Sequence, residues 1–65
     1  MVIFLNGERR DIASARNIRE LVDELRLPAQ AVLAEHNGIA LRREEWDHAI
    51  EAEDRIEIIR IVAGG

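Results

Sequence analysis

The chain has 65 residues, 48% of them hydrophobic, which is enough for one small hydrophobic core and too apolar for intrinsic disorder. Its net charge of −4 and its pI near 5.0 argue against a protein that binds the phosphate backbone of a nucleic acid. Because cysteine is absent, disulfide bonds, thiolate metal sites and thiol nucleophiles are excluded.

The first residues, Met1 to Leu5, are apolar, but this segment is too short for a signal peptide and has no basic segment before it. No other apolar run reaches membrane-spanning length. We therefore expect a soluble cytoplasmic protein that forms one domain over residues 1–65. Asn6-Gly7 follows this segment and predicts an antiparallel hairpin, with strands at about 2–5 and 8–12. The second strand is polar, as expected at the edge of a sheet.

A helix follows the first hairpin. Asn17 precedes Glu20 by three residues, which is the spacing of a capping box at a helix start. The apolar residues then recur at the spacing of one helix face: Ile18, Leu21, Val22 and Leu25. On the polar side, Arg19 and Asp23 are spaced to form an ion pair, and Pro28 is expected to end the helix.

The second half of the chain predicts a second hairpin and a final strand. A strand over 31–36, with Val32-Leu33-Ala34 as its buried part, leads to Asn37-Gly38 and a returning strand over 39–41. Residues 43–46 fit a single helical turn, and Trp46 is expected to cover the core only partly, with its indole N–H reaching a partner or solvent. Ile50 is predicted to point inward, and Asp54 to begin the last strand.

These elements predict an α+β fold, in which a mixed sheet of about five strands carries one helix across one face. The first and last strands are the most apolar and should be adjacent. If Ile3 and Leu5 point towards the helix, the other sheet face is left uncovered and carries Phe4, Ile59 and Ile61. Such an exposed apolar patch indicates a partner surface. Alternatively, a bulge or a shifted register would place the same side chains in the core.

Residues for catalysis are scarce. Ser14 is the only hydroxyl nucleophile, since threonine and tyrosine are absent as well as cysteine, and no spacing supplies it with a base. His36 and His48 are isolated and are expected to be surface or strand-end histidines. The acidic runs, at 44–45 and 51–54, are typical of solvated faces. We expect a protein that is not an enzyme and that binds no cofactor or metal.

The end of the chain offers one reactive group. Val62 and Ala63 are followed by Gly64 and Gly65, whose lack of side chains suits an extended backbone in a narrow channel. The α-carboxylate of Gly65 is unhindered, and once another enzyme has activated it as an acyl-adenylate it could accept sulfide or a persulfide. The alternative is a frayed terminus without a role.

The chain resembles the ThiS-type sulfur carriers of thiamine biosynthesis, which have the ubiquitin-like β-grasp fold. The resemblance rests on MVIFLNG at 1–7, IRELVDEL at 18–25, Asn37-Gly38, Arg43-x-x-Trp46, DRIEII at 54–59 and VAGG at 62–65. Two positions depart from the family. Arg42 stands where proline is frequent and Glu53 where glycine is frequent, and both lie in connections.

The resemblance implies that a ThiF-like enzyme consumes ATP to adenylate Gly65. A persulfide enzyme then supplies sulfur, and thiazole synthase receives it from the thiocarboxylate. Phe4, Ile59, Ile61 and a flexible tail at about 62–65 would contact these partners, with neither nucleic acid nor membrane involved and with a monomer as the free form.

Two alternatives remain open. The small subunit of molybdopterin synthase has the same tail chemistry, and a β-grasp binding module would transfer nothing.

Overall fold

The computed structural model describes residues 1–61. Five strands and one helix make up most of it: β1 (Val2–Leu5), β2 (Glu8–Asp11), α1 (Ile18–Glu24), β3 (Val32–His36), β4 (Ile39–Ala40) and β5 (Arg55–Arg60). Two short 3₁₀ turns, Ala29–Ala31 and Arg43–Glu45, lie in the connections. Within these residues, no helix is both long enough and apolar enough to cross a membrane.

The strands form one mixed sheet in the order β2-β1-β5-β3-β4. Strand β5 is central, parallel to β1 on one side and antiparallel to β3 on the other. The predicted adjacency of the first and last strands is therefore confirmed. Strand β2 lies at one edge with all four residues exposed, and it ends at Asp11, one residue earlier than predicted.

Both Asn-Gly turns form as expected. Asn6 and Gly7 have φ of 51° and 82°, and Asn37 and Gly38 have φ of 51° and 84°. These positive values are those of the two-residue turns that match the twist of a hairpin. The second hairpin is short, because β4 pairs with β3 only at Ala40 and Ile39.

The helix starts where its cap predicts. The Asn17 side chain accepts a hydrogen bond from the Glu20 N–H at 2.8 Å. The Glu20 carboxylate accepts from the Arg16 N–H, one residue before the usual partner in a capping box. The predicted pair between Arg19 and Asp23 was wrong: Arg19 instead pairs with Asp47 at 2.8 Å, which ties the helix to the last connection.

The helix stops before Pro28. Arg26 adopts φ of 58°, and its N–H donates to the Asp23 carbonyl at 2.9 Å while the Leu27 N–H donates to the Val22 carbonyl at 3.1 Å. This is a Schellman motif with arginine in the left-handed position where glycine is usual. The helix thus ends through this motif, and not at the proline as predicted.

The helix and the sheet enclose one hydrophobic core. Ile3 and Leu5 of β1 and Ile56 and Ile58 of β5 face the helix, as the alternation predicts. The other buried side chains are Ile12, Ala15, Ile18, Leu21, Val22, Val32, Ala34, Trp46 and Ile50. Ile50 is the inward anchor that the sequence indicates.

Trp46 is fully buried, so the prediction of a partly buried cover was wrong. Its side chain is 1% exposed, and its indole N–H has no hydrogen-bond partner among residues 1–61. Two backbone hydrogen bonds of 3.1 Å hold this residue in place. The Trp46 N–H donates to the Arg43 carbonyl, and the Trp46 carbonyl accepts from the Arg19 N–H. The Arg43 guanidinium lies 4.5 Å from the ring centroid and covers the ring from outside.

Glu24 holds the connection between β2 and α1. Its carboxylate accepts hydrogen bonds from the backbone N–H groups of Ala13, Ser14 and Ala15, each at 3.1 Å. The bonds from Ser14 and Ala13 lower the pKa of the Glu24 carboxyl below its ordinary value of 4.5. The folded state therefore favours the ionised form.

Replacing Glu24 by Gln should make the folded state less sensitive to acid. Because the folded pKa is lowered, Glu24 contributes stability above about pH 4.5 and loses it as the pH falls through the folded pKa. The difference in free energy of unfolding between wild type and Glu24→Gln should then be greatest at neutral pH and shrink towards pH 2. Urea unfolding at a series of pH values measures it. Asp23→Asn, which removes an exposed carboxylate from the same helix, is the control, and an equal pH dependence in both variants would contradict the assignment.

The two departures from the family pattern fit the backbone differently. Arg42 has φ of −77°, close to the value that proline imposes. Glu53 has φ of 69°, in the left-handed region where glycine is unstrained. Glutamate at this position therefore costs stability that a glycine would restore.

Glu53→Gly should raise the free energy of unfolding by about 0.5–1 kcal/mol, because it relieves left-handed strain at an exposed position. Glu53→Ala removes the same carboxylate and keeps the strain, so it should be nearly neutral. Thermal unfolding of the two variants beside the wild type separates backbone strain from charge. Equal stabilisation by alanine and glycine would mean that the strain is not the cause.

Candidate protein-binding site

The second half of β5 extends beyond the strand beside it. Against β3, β5 pairs along its length, from His36 opposite Ile56 to Val32 opposite Arg60. Against β1, the register comprises only Phe4 opposite Arg55 and Leu5 opposite Ile56. On the β1 side, therefore, the part of β5 that leads to the C-terminal segment has no strand to pair with.

The Asn6 side chain takes the place of the missing strand. Its amide oxygen accepts from the Ile58 N–H at 2.9 Å, and its amide nitrogen donates to the Ile58 carbonyl at 3.3 Å. The Asn6 backbone N–H also donates to the Ile56 carbonyl at 2.9 Å. Asn6 thus serves the turn through its positive φ and extends the ladder through its side chain, which favours asparagine over glycine here.

On the β3 side, the ladder continues one residue past the strand. The Ile61 N–H donates to the Ala31 carbonyl at 2.7 Å. This bond is the final one described before the C-terminal segment. The predicted tail residues Val62, Ala63, Gly64 and Gly65 lie outside the described residues, so the expectation of a flexible tail at about 62–65 stays a prediction.

The sheet face opposite the helix carries apolar side chains at two places, Ile59 and Ile61 at the end of β5 and Phe4 opposite its first residue, Arg55. Ile59 and Ile61 are 45% and 46% exposed, and Phe4 is half-buried. These side chains therefore do not belong to the core, and the alternative of a shifted register is excluded for them. That they contact a partner stays a prediction.

Leu33 belongs to the same face, although the sequence predicted it to be buried. It is 51% exposed and lies opposite Ile59 in the β3–β5 register. Its neighbours Val32 and Ala34 point to the core, so alternation along β3 turns Leu33 the other way. The signal was present in the sequence but was read as one continuous apolar run. We refer to Phe4, Leu33, Ile59 and Ile61 together as the open face.

Charged residues of both signs lie within the open face, between Phe4 at the start of β5 and the apolar group Leu33, Ile59 and Ile61 at its end. Arg55 and Glu57 precede Ile59 on the same side of β5, and Glu35 lies opposite Glu57 on β3. A surface groove of about 340 Å³ lies beside Phe4 and is lined in addition by Gly7, Arg55, Ile56 and Glu57. The open face is thus one apolar group, Leu33, Ile59 and Ile61, next to charged residues and Phe4, and such a mixture is typical of a protein–protein contact surface.

A polar cluster fixes the other end of β5. His36 Nε2 lies 2.6 Å from an Asp54 carboxylate oxygen, and the Asn37 side chain donates to Asp54 at 3.3 Å and accepts from the Arg55 N–H at 2.8 Å. Burial raises the pKa of Asp54, but the hydrogen bonds from the Glu51 N–H, His36 and Asn37 outweigh it and the pKa lies below its ordinary value. Asp54 is thus a paired structural carboxylate, and not part of a solvated run as predicted.

The other candidates for chemistry stay apart. Ser14 lies in the connection that Glu24 holds, and within residues 1–61 its hydroxyl has no hydrogen-bonded base. His48 is exposed, and His36 ends β3 as expected of a strand-end histidine. In the described part of the chain, no group of three or more His, Cys, Asp or Glu side chains is placed to hold a metal ion. What the structure does bring together is the open face and the end of β5.

A mixed five-stranded sheet with a central C-terminal strand and one helix across one face defines a ubiquitin-like β-grasp fold. The chain belongs to the ThiS family, whose sequence profile matches residues 3–65.

Solved structures agree with this assignment. The chain is similar to the thiamine biosynthesis protein ThiS from Geobacter metallireducens, in a crystal structure with a TM-score of 0.83, 30% identity and full coverage of both chains. A solution NMR structure of a thiamine biosynthesis protein from the same organism gives the same TM-score and identity and covers all of this chain and 88% of that one. Comparison with curated proteins gives no match.

Replacing Ile59 by Asp should cost little stability. The side chain is half exposed on a face that no described element covers, so we expect a loss of about 1 kcal/mol or less in the free energy of unfolding. Ile58→Asp is the matched control, because Ile58 is 8% exposed on the core side of the same strand. A charge there should unfold a domain whose total stability is about 3–5 kcal/mol. Urea unfolding measures both, and unfolding of Ile59→Asp would place that side chain in the core.

Proposed function

We propose that the chain is a sulfur carrier of thiamine biosynthesis. Its membership of the ThiS family and its similarity to solved thiamine biosynthesis proteins support this pathway over that of the molybdopterin synthase small subunit. The observation that carries the proposal is the anchoring of the last strand. Asn6 holds β5 at Ile58 and Ala31 holds the chain at Ile61, just before the Val-Ala-Gly-Gly segment that would bear the sulfur.

The proposed chemistry takes place at the α-carboxylate of Gly65. A carboxylate oxygen attacks the α-phosphorus of ATP, which forms an acyl-adenylate and releases pyrophosphate. Hydrosulfide then attacks the acyl carbon and expels AMP, which leaves a thiocarboxylate. With a persulfide donor, an acyl disulfide forms first, and attack of a thiol on its outer sulfur releases the same thiocarboxylate and a new disulfide.

The described residues are consistent with a carrier whose chemistry is carried out by partner enzymes. The carrier supplies an acyl group without side-chain hindrance, whereas no paired nucleophile and base is present in residues 1–61 to activate it. In this proposal a ThiF-like adenylating enzyme carries out the activation and consumes the ATP. A persulfide enzyme donates the sulfur and thiazole synthase receives it. The chain itself binds no cofactor in this proposal, and the adenylating enzyme and thiazole synthase dock on the open face.

The test is an intact-mass measurement after incubation with ATP, a ThiF-like enzyme and sodium sulfide. We expect the mass gain of one sulfur replacing one oxygen, mapped by fragmentation to Gly65. Deletion of Gly65 should abolish the gain, because it removes the residue that would be modified, and should leave the thermal unfolding curve unchanged, because the described core ends at Ile58. An unchanged mass of the wild-type carrier, measured with an enzyme that is active on another carrier, would refute the proposal.

The open face is tested in the same assay. Ile59→Asp should raise the KM for the carrier by about tenfold, because it places a charge in the centre of an apolar contact surface. Arg42→Gln, which changes a charge on an exposed connection, is the control and should leave KM unchanged. Equal KM values for both variants would show that the enzyme docks elsewhere.

A further inference from the structure

The Arg43 side chain links the Trp46 region of the core to the segment that holds the end of β5. One guanidinium nitrogen donates to the Ala29 carbonyl, and the other terminal nitrogen donates to the Val32 carbonyl at 2.9 Å. The guanidinium also lies over the Trp46 ring, 4.5 Å from its centroid. The planar group is therefore fixed by one contact on its face and two at its edge.

The two carbonyls lie on either side of Ala31, whose own carbonyl accepts the bond from the Ile61 N–H at 2.7 Å. The segment 29–32 contains a short 3₁₀ turn and has few bonds of its own; the Ala31 N–H donates to the Pro28 carbonyl. By holding residues 29 and 32, Arg43 fixes the carbonyl between them. Ile61 follows Arg60, which pairs with Val32, and the bond from the Ile61 N–H to that carbonyl is the next contact that places the start of the C-terminal segment.

The rest of the Arg43 residue is anchored to the helix. Its carbonyl accepts from the Trp46 N–H at 3.1 Å and from the Arg19 side chain at 3.4 Å, and Arg19 in turn pairs with Asp47. Arg43, whose side chain is exposed, thus connects the region around Ile61 to the start of α1. Arg43 therefore has two effects that an experiment must separate: its cover over the Trp46 ring bears on stability, and its bonds to the two carbonyls bear on geometry.

We propose that Arg43 is a positioning residue for sulfur carriage, acting through Ala31 on the place where the C-terminal segment leaves the sheet. The inference rests on the proposed function, since positioning matters only if the segment enters an enzyme. The open face would then decide how tightly the carrier docks, and Arg43 how well its end reaches the reacting phosphate. The two contributions should separate as KM and kcat.

The experiment compares Arg43→Gln and Arg43→Lys with the control Arg42→Gln. Amide hydrogen exchange should show faster exchange of the Ile61 N–H in both Arg43 variants, by about two- to tenfold, the effect of a weakened hydrogen bond. The Ile59 N–H, inside the β3–β5 ladder, should change less. Lysine should fail to restore the wild type, because a single ammonium does not reproduce a planar fork on two carbonyls.

Adenylation kinetics complete the test. We expect kcat to fall by about tenfold with KM for the carrier unchanged, as for a misplaced reacting group. Uniformly faster exchange at all amides, unaltered exchange at Ile61, or an effect confined to KM would overturn the proposal. Adenylation of the wild type serves as the reference. If the wild type itself is not adenylated, both the proposed function and this role of Arg43 are wrong. If the wild type is adenylated and the Arg43 variants behave like it, only the role of Arg43 is wrong.

Discussion

The structure depends on the pairing of β5 with both of its neighbours. Hydrogen bonds to β1 and β3 place Ile56 and Ile58 under the helix, where they meet Ile3, Leu5 and the apolar stripe of α1. The same pairing, through the pleat of the strand, turns Ile59 outward. One strand therefore supplies the centre of the core, part of the open face and the connection to the C-terminal segment, so a change in its register would disturb all three.

Most of the fold could be predicted from the sequence because its signals are local. The two Asn-Gly pairs fix the hairpins, Asn17 fixes the helix start, and alternation in β1 and β5 separates the core from the open face. What the sequence hid depends on contacts between distant segments. Trp46 looked peripheral because the cover over its ring comes from Arg43 in a charged turn. Leu33 is a different case, since alternation along β3 already turns it outward and the apolar run hid that alternation.

The candidate site was predictable in part for the same reason. Phe4, Ile59 and Ile61 follow from the period of two along their strands, which needs no tertiary information. The roles of Asn6 and Arg43 were not accessible, because each acts on backbone groups far away in the chain, at Ile58 and at residues 29 and 32. Side chains that bond to backbone carbonyls leave no spacing pattern in a sequence. They are found only when the hydrogen-bond partner of each backbone carbonyl near the end of β5 is identified in the structure.

The central place of β5 also bears on how the protein is made. A ribosome synthesises this strand after every other strand of the sheet. Until β5 emerges, β1 and β3 have no strand between them, and the helix lacks the apolar side chains that β5 contributes to the core. Contacts between segments so far apart in the sequence are slow to form, so the sheet is completed late in folding. A chain that terminates before β5 would lack part of the core as well as the C-terminal segment. It would stay unfolded and be a substrate for protein quality control.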